Sequence, residues 1–327
     1  MRLRLVPEET HFDFMKFGPI GVAISGFFIV ASIVVFFMMG LNFGIDFRGG
    51  SMITAATEEP ADLSTYRSTL EALDIGDFTV TEISDPAGEL TGAVPNQVTM
   101  RIEQADGDET IQQDVIAQVK GALTETFPGI VYLQTDSVGA KVSGELVQAG
   151  VLAVLLAIGA VLVYIWLRFE WQFSVGAVAA LVHDVILTIG VFSLTQIEFN
   201  LSIIAAILTI VGYSLNDTVV VFDRVRENLR RFKQTPLAEV LNLSINETLS
   251  RTLMTSLTTL IALVALYVLG GEVIRGFSFA MIWGIVVGTY SSIFIASPIL
   301  LKLDVKRDWS KPEDGGGAGT QFANIDA

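Results

Sequence analysis

NLSIIAAILTIVGYSLNDTVVVFDRVREN, Asn200 to Asn228, is the stretch on which the reading of this chain turns. It opens as a long apolar run, is interrupted by Asn216-Asp217, resumes as TVVVF and ends among Arg224, Arg226 and acidic residues. An α-helix rises about 1.5 Å per residue and a bilayer core is roughly 30 Å thick, so about 20 mainly apolar residues make a span. Residues 200–222 meet that requirement. They also carry a carboxylate where an ionised group is most costly, at least about 2.5 kcal/mol near the bilayer centre.

Five further runs qualify, at approximately 18–41, 147–168, 172–194, 253–270 and 277–301. Composition agrees, with 51% hydrophobic and only 17% charged residues against roughly 25% charged in soluble chains. The expected fold is a polytopic α-helical membrane protein with six transmembrane helices. The first run is too long for a signal-peptide h-region, and no A-x-A-like site follows at Leu41-Asn42-Phe43, so it reads as a retained span. The absence of cysteine excludes disulfides and thiolate chemistry. Only His11 and His183 are present, which excludes a His-rich metal site. No GxxxxGK[ST], GxSxG or HExxH motif occurs, and the spans hold no nucleophile–base pair. Neither an enzyme nor a nucleic-acid partner is expected, and no cofactor. Energy for any work does not come from a nucleotide held on this chain.

Orientation follows from Lys and Arg in the short loops. Arg2, Arg4 and Lys16, then Arg168, then Arg224, Arg226, Arg230, Arg231, Lys233 and Arg251, then Lys302, Lys306, Arg307 and Lys311 all fall on one side. Both termini (1–17 and 302–327) are therefore expected in the cytoplasm, with residues 42–146 as one large periplasmic domain. That domain carries many of the acidic residues behind the net charge of −15, among them Glu58, Glu59, Asp62, Asp106, Asp108 and Glu109.

The domain reads as α+β. Strands are predicted at 51–57, 78–84, 97–103 and 130–136. Leu63, Tyr66, Leu70 and Leu73 share a helical face, as do Ile111, Val115, Val119 and Leu123 behind an Asp108 cap. The order βαββαβ predicts a ferredoxin-like sandwich between spans one and two. Residues 85–95 read as a turn-rich loop. In the cytoplasmic loop 223–252, Thr235-Pro236 supplies an N-cap and N1 pair, and Leu237, Leu241, Ile245 and Leu249 follow on one face. An interfacial helix is expected there. The Gly-rich tail reads as disordered.

Several polar groups sit inside the apolar runs. Tyr213, Asp217 and Arg224 share a face of span four, with Asn216 beside them. Asp217 reads either as a hydrogen bond joining helices or as a proton or ion site; the carboxylate adds a cost that Asn216 alone would avoid, which favours the second. Arg251, Thr255, Thr258 and Thr259 form a hydroxylated stripe at the start of span five, open to the alternative that the threonines bond their own backbone. Asp217 and Arg251 fall in the same half of the membrane, where burial acts against the carboxylate and a nearby Arg acts for it. His183-Asp184 in span three reads as a satisfied hydrogen-bonded pair rather than a proton relay. Gly284, Gly288 and Ser292 form a small-residue packing seam in span six.

GLNFGIDFRGG (40–50), VHDVILTIGVFSL (182–194), IVGYSLNDTVVVFDRVREN (210–228), LSRTLMTSLTTL (249–260) and GTYSSIFIASPIL (288–300) occur in order. Together they resemble the SecF family, the smaller membrane subunits of bacterial SecDF protein-export complexes within the RND-type superfamily. The resemblance covers roughly residues 20–302; Arg48 departs from it, since threonine is the residue expected there. It implies a bacterial inner-membrane subunit that pairs with SecD, acts with the SecYEG channel and YajC on translocating preproteins, and uses the proton-motive force. It further implies proton coupling at Asp217 and Arg251. An RND-type exporter of small molecules or ions is the alternative, although such chains usually carry two six-span halves.

Overall fold

The computed structural model describes residues 10–60, 62–83, 96–103 and 109–305. Arg2 and Arg4, the loop 85–95, the Asp108 cap and the tail from residue 306 lie outside them. Among the described residues six helices are long and apolar enough to cross a membrane. They are TM1 (Phe14–Met39), TM2 (Ala140–Arg168), TM3 (Trp171–Thr195), TM4 (Leu201–Arg231), TM5 (Leu237–Leu269) and TM6 (Val273–Lys302).

Between TM1 and TM2 lie a one-turn helix, Ile45–Arg48, and a four-stranded antiparallel sheet of β1 (Gly50–Ala56), β2 (Phe78–Ile83), β3 (Gln97–Ile102) and β4 (Val131–Val138). Its order β2-β3-β1-β4 is the one the βαββαβ pattern requires, with β3 between β1 and β2. The alternation in β3 points Val98, Met100 and Ile102 inward, and all three are buried with Tyr66 and Leu70 of the Leu63–Glu71 helix and Val119 and Leu123 of the Glu109–Thr126 helix. The sheet and two helices thus form a core of their own, separate from the spans.

TM3, TM4 and TM6 are the inner helices: 56% of the apolar stretch of TM3 and 61% of that of TM6 is buried, against 6% for TM2. The bundle has two apolar cores. One, toward the domain, joins Phe192, Phe199, Ile203, Ile207, Ile210, Met281 and Ile285. The other, at the far end, joins Phe169, Phe173, Phe222, Val225, Leu241, Ile245 and Leu300.

The far end departs from expectation. No separate interfacial helix exists, because Leu237–Leu269 is one continuous helix of 33 residues, and TM4 runs for 31. At about 50 and 46 Å respectively, both exceed the roughly 30 Å hydrocarbon thickness. The stripe Leu237, Leu241, Ile245 and Leu249 is buried against the protruding half of TM4 rather than laid on a bilayer surface. An amphipathic face is satisfied by any apolar partner, and here a neighbouring helix supplies it. The N-cap position of TM5 is Pro236, without a side-chain cap from Thr235.

Candidate functional site

Between the two cores the inner helices and TM5 carry buried polar residues at one level. On TM3 these are His183 and Asp184; on TM4, Ser214, Asp217 and Thr218; on TM5, Thr252 and Ser256; on TM6, Ser291 and Ser292. All are buried. Apolar packing above and below makes this a polar layer enclosed by hydrocarbon-like surroundings, where polar groups without partners are costly.

TM4 and TM6 approach closely at the layer because Gly284 and Gly288 face TM4. A Cβ at Gly288 would stand 2.9 Å from the Ser214 Cβ, and one at Gly284 would run into Ile210. Ser292 is fully buried, and its hydroxyl donates to Thr289 O at 3.0 Å. It opens a π-helical segment, Ser292–Ala296, followed by Ser297 and Pro298. Pro298 has no N–H to give to the preceding turn, which displaces the regular hydrogen-bond ladder, and Ser297 Oγ donates instead to Ser292 O at 3.0 Å.

Asp184 has three hydrogen-bond partners. His183 Nδ1 lies 2.9 Å from Oδ1, while Ser214 Oγ at 2.6 Å and Ser291 Oγ at 2.9 Å both reach Oδ2. One carboxylate thereby ties TM3 to TM4 and TM6. Ser214 and Ser291 escaped the sequence reading, since serine is common in packed spans; their only signal is position, Ser214 one turn before Asp217 and Ser291 one turn after Gly288.

Asp217 contrasts with Asp184. It is 2% exposed, and its Oδ2 is buried with no hydrogen-bond partner among the described residues. The antiparallel pairs Tyr213–Thr259 (3.4 Å) and Asn228–Ser244 (3.1 Å) set the register of TM4 against TM5. That register puts Thr255 level with Asp217 and Arg251 one turn farther from the domain. Arg251 is exposed, and among the described residues no ion pair within 4.0 Å joins it to Asp217. Thr255 donates to Arg251 O (3.1 Å) and Thr252 O (2.9 Å), and Thr258 and Thr259 likewise bond carbonyls of their own helix. Asn216 points outward and is exposed, so it does not join Asp217. Arg224 is also apart from it: its guanidinium pairs with Glu247 (2.7 Å) and Glu227 (2.6 Å), in a far-end network that includes Asn228.

At its other end TM4 is fastened to the domain. Its N-cap residue Asn200 makes no side-chain cap bond; Asp46, from the segment after TM1, accepts from Leu201 N at 2.9 Å instead. A carboxylate there satisfies a first-turn amide and faces the positive end of the helix dipole. Arg101 of β3 pairs closely with Glu198 and reaches Asn42 Oδ1 at 3.4 Å. Arg48 pairs with Glu103 at 3.0 Å. Gly49 and Gly50 turn the chain from the Ile45–Arg48 helix into β1 with φ of +77° and +117°, conformations that a Cβ disfavours.

Comparison with known proteins places these features in a family. The model for the SecD/SecF protein export membrane protein C-terminal region matches residues 118–306, and that for the SecD/SecF GG motif matches residues 34–61. The protein translocase subunit SecF of Cereibacter sphaeroides is 52% identical over 100% of this chain and 99% of its own length. The chain belongs to the SecF family. SecF of Rickettsia rickettsii is 44% identical over 94% of this chain and 97% of its own. A crystal structure of SecDF, a translocon-associated membrane protein from Thermus thermophilus, superposes with a TM-score of 0.81 at 35% identity, covering 93% of this chain. This chain spans 40% of the length of that SecDF chain. A SecDF structure in the super-membrane-facing form gives 0.65. The role of the family is in protein export, which does not favour the small-molecule exporter reading. The two matched regions coincide with the two structural features above: the GG-motif match holds Asp46 and the Gly49-Gly50 turn, and the C-terminal match holds the polar layer.

Proposed function

We propose that this chain is the SecF subunit of a SecDF-type motor in the bacterial inner membrane, in which protons moving through the polar layer drive late steps of preprotein translocation. Both termini lie in the cytoplasm and the α+β domain in the periplasm, as the distribution of Lys and Arg predicts. SecD is its partner within the membrane, and the SecYEG channel and YajC are its associates. Asp217 is the proton-binding group, with Arg251 as the cation that approaches it when its carboxylate forms; protons are the coupling ion, with no other cofactor.

The observation that carries this reading is the buried, partnerless Oδ2 of Asp217. A structural carboxylate in such surroundings collects donors, as Asp184 does. One left open can exchange a proton or a counter-charge. Moving one charge through the membrane potential yields about 2.3 kcal/mol per 100 mV. TM4 carries the consequence: Asp217 lies sixteen residues, about 24 Å, from the Leu201 amide that Asp46 holds.

The deciding experiment is preprotein export into membrane vesicles under an imposed proton gradient. Asp217→Asn and Arg251→Met should each assemble with SecD and lose the gradient-dependent stimulation. Full stimulation in both variants would remove the assignment.

A further inference from the structure

A second titratable side chain lies in the layer and has no part in the reading above. His183 is 2% exposed, and its Nδ1 faces Asp184 Oδ1 at 2.9 Å. The other oxygen of Asp184 accepts from Ser214 and Ser291. An ionised Asp184 can only accept, so its bond to His183 puts a proton on Nδ1 of the imidazole. The remaining nitrogen, Nε2, is buried and has no hydrogen-bond partner among the described residues. With Nδ1 protonated, Nε2 carries a lone pair in the neutral ring and a proton in the imidazolium.

The surroundings name what else could answer to its charge. TM1 from residue 17 to 39 and TM2 from 146 to 167 contain no Asp, Glu, Lys or Arg. TM6 presents Tyr290, stacked on the imidazole with centroids 6.2 Å apart, whose hydroxyl donates to Gly21 O at 2.8 Å and accepts from Ser25 Oγ. TM4 presents Asp217, one turn from the Ser214 that bonds Asp184. TM5, packed on TM4 and TM6, contributes Arg251.

We propose that His183 is a second proton-binding residue of the layer, coupled to Asp217. A proton adds to the Nε2 lone pair and leaves by the same N–H bond, while the Nδ1–H bond to Asp184 stays in place. Uptake turns a pair of net charge −1 into a neutral imidazolium–carboxylate pair. Ser214, bonded to Asp184 and one helical turn from Asp217, links the two sites through a single residue in a low-dielectric layer, so the charge state of each is felt by the other. Asp184 serves as a positioning residue that fixes the tautomer. This deepens the proton-coupled reading of Asp217 and rests on it.

Because the chain has two histidines, a His11→Asn variant of the full chain, labelled with 15N in its imidazoles and reconstituted with unlabelled partner subunits in bilayers, gives one ring to observe. His183→Gln removes that signal and so assigns it. Solid-state NMR across a pH series should find the Nδ1–H neutral tautomer converting to imidazolium, and Asp217→Asn should displace that conversion. A ring that keeps one ionisation form throughout, or a midpoint indifferent to Asp217→Asn, overturns the proposal. If Asp217→Asn abolishes gradient-stimulated export while the ring does not titrate, only His183 is removed from the path. If that variant exports normally under the gradient, the proton reading of Asp217 falls, and this inference falls with it.

Discussion

At the domain end of TM4, Asp46 accepts from the Leu201 amide and Arg101 pairs with Glu198, whereas sixteen residues along the same helix Asp217 keeps a buried oxygen without a partner. The first region uses charge to fix position. Its acid and base meet other groups of the chain, and together they fasten the helix to the sheet. The second region leaves an acid oxygen without a partner, flanked by apolar cores that offer none. The same contrast recurs within the polar layer itself, where Asp184 is surrounded by donors and Asp217 is not. One carboxylate is left under-bonded, and the helices around it are tied together by one that is not.

Substitutions can break this comparison. The largest stability effect is expected from Asp184→Ala, which leaves His183, Ser214 and Ser291 without their shared acceptor. Removing one member of a buried charged network costs about 3–5 kcal/mol, whereas Asp217→Asn should cost less than about 1 kcal/mol because no hydrogen bond is lost at Oδ2. Chemical unfolding of the purified, detergent-solubilised protein measures both; equal losses would erase the distinction between the two acids.

Asp46→Ala tests the fastening at the domain end. Loss of the capping acceptor and its interaction with the helix dipole should cost about 1 kcal/mol. Hydrogen exchange at the Leu201 and Ser202 amides should quicken, with the turn around Asp217 unaffected, and Asp46→Asn should restore most of the protection. Unchanged exchange in the first turn would mean that Asp46 does not hold TM4.

The smallest effect sharpens the contrast from outside the membrane. Asp62, fully exposed, accepts from Ser64 N (3.0 Å), Ser64 Oγ (2.6 Å) and Thr65 Oγ1 (2.6 Å) at the start of the Leu63–Glu71 helix. The Ser64 and Thr65 hydroxyls, then the Ser64 amide, pull its carboxyl from 3.8 down to about 2. A lowered value in the folded state means that the cap stabilises fully above 3.8 and fades as the pH falls toward about 2. Protection of the Ser64 amide should decline over that interval, and Asp62→Asn should flatten the dependence. A flat profile in the parent chain would contradict the capping role.

The sequence alone determined the six spans, the βαββαβ domain and the presence of an acid inside TM4. Each rests on a local quantity: the length of an apolar run, a period of two or 3.6, or the cost of one carboxylate. Leu237, Leu241, Ile245 and Leu249 mark where that legibility ended, because periodicity gives an apolar face but not its partner, and TM4 rather than the bilayer surface took the role. Tyr213, Asp217 and Arg224 share a helical stripe, yet only the packing of TM5 sends Arg224 to Glu247 and leaves Asp217 alone. Asp184 lay in plain view at position 184, but its donors stand 30 and 107 residues away. Only the tertiary structure decided which carboxylate is saturated and which is open, since hydrogen bonds across helices depend on rotation and register that no single helix encodes.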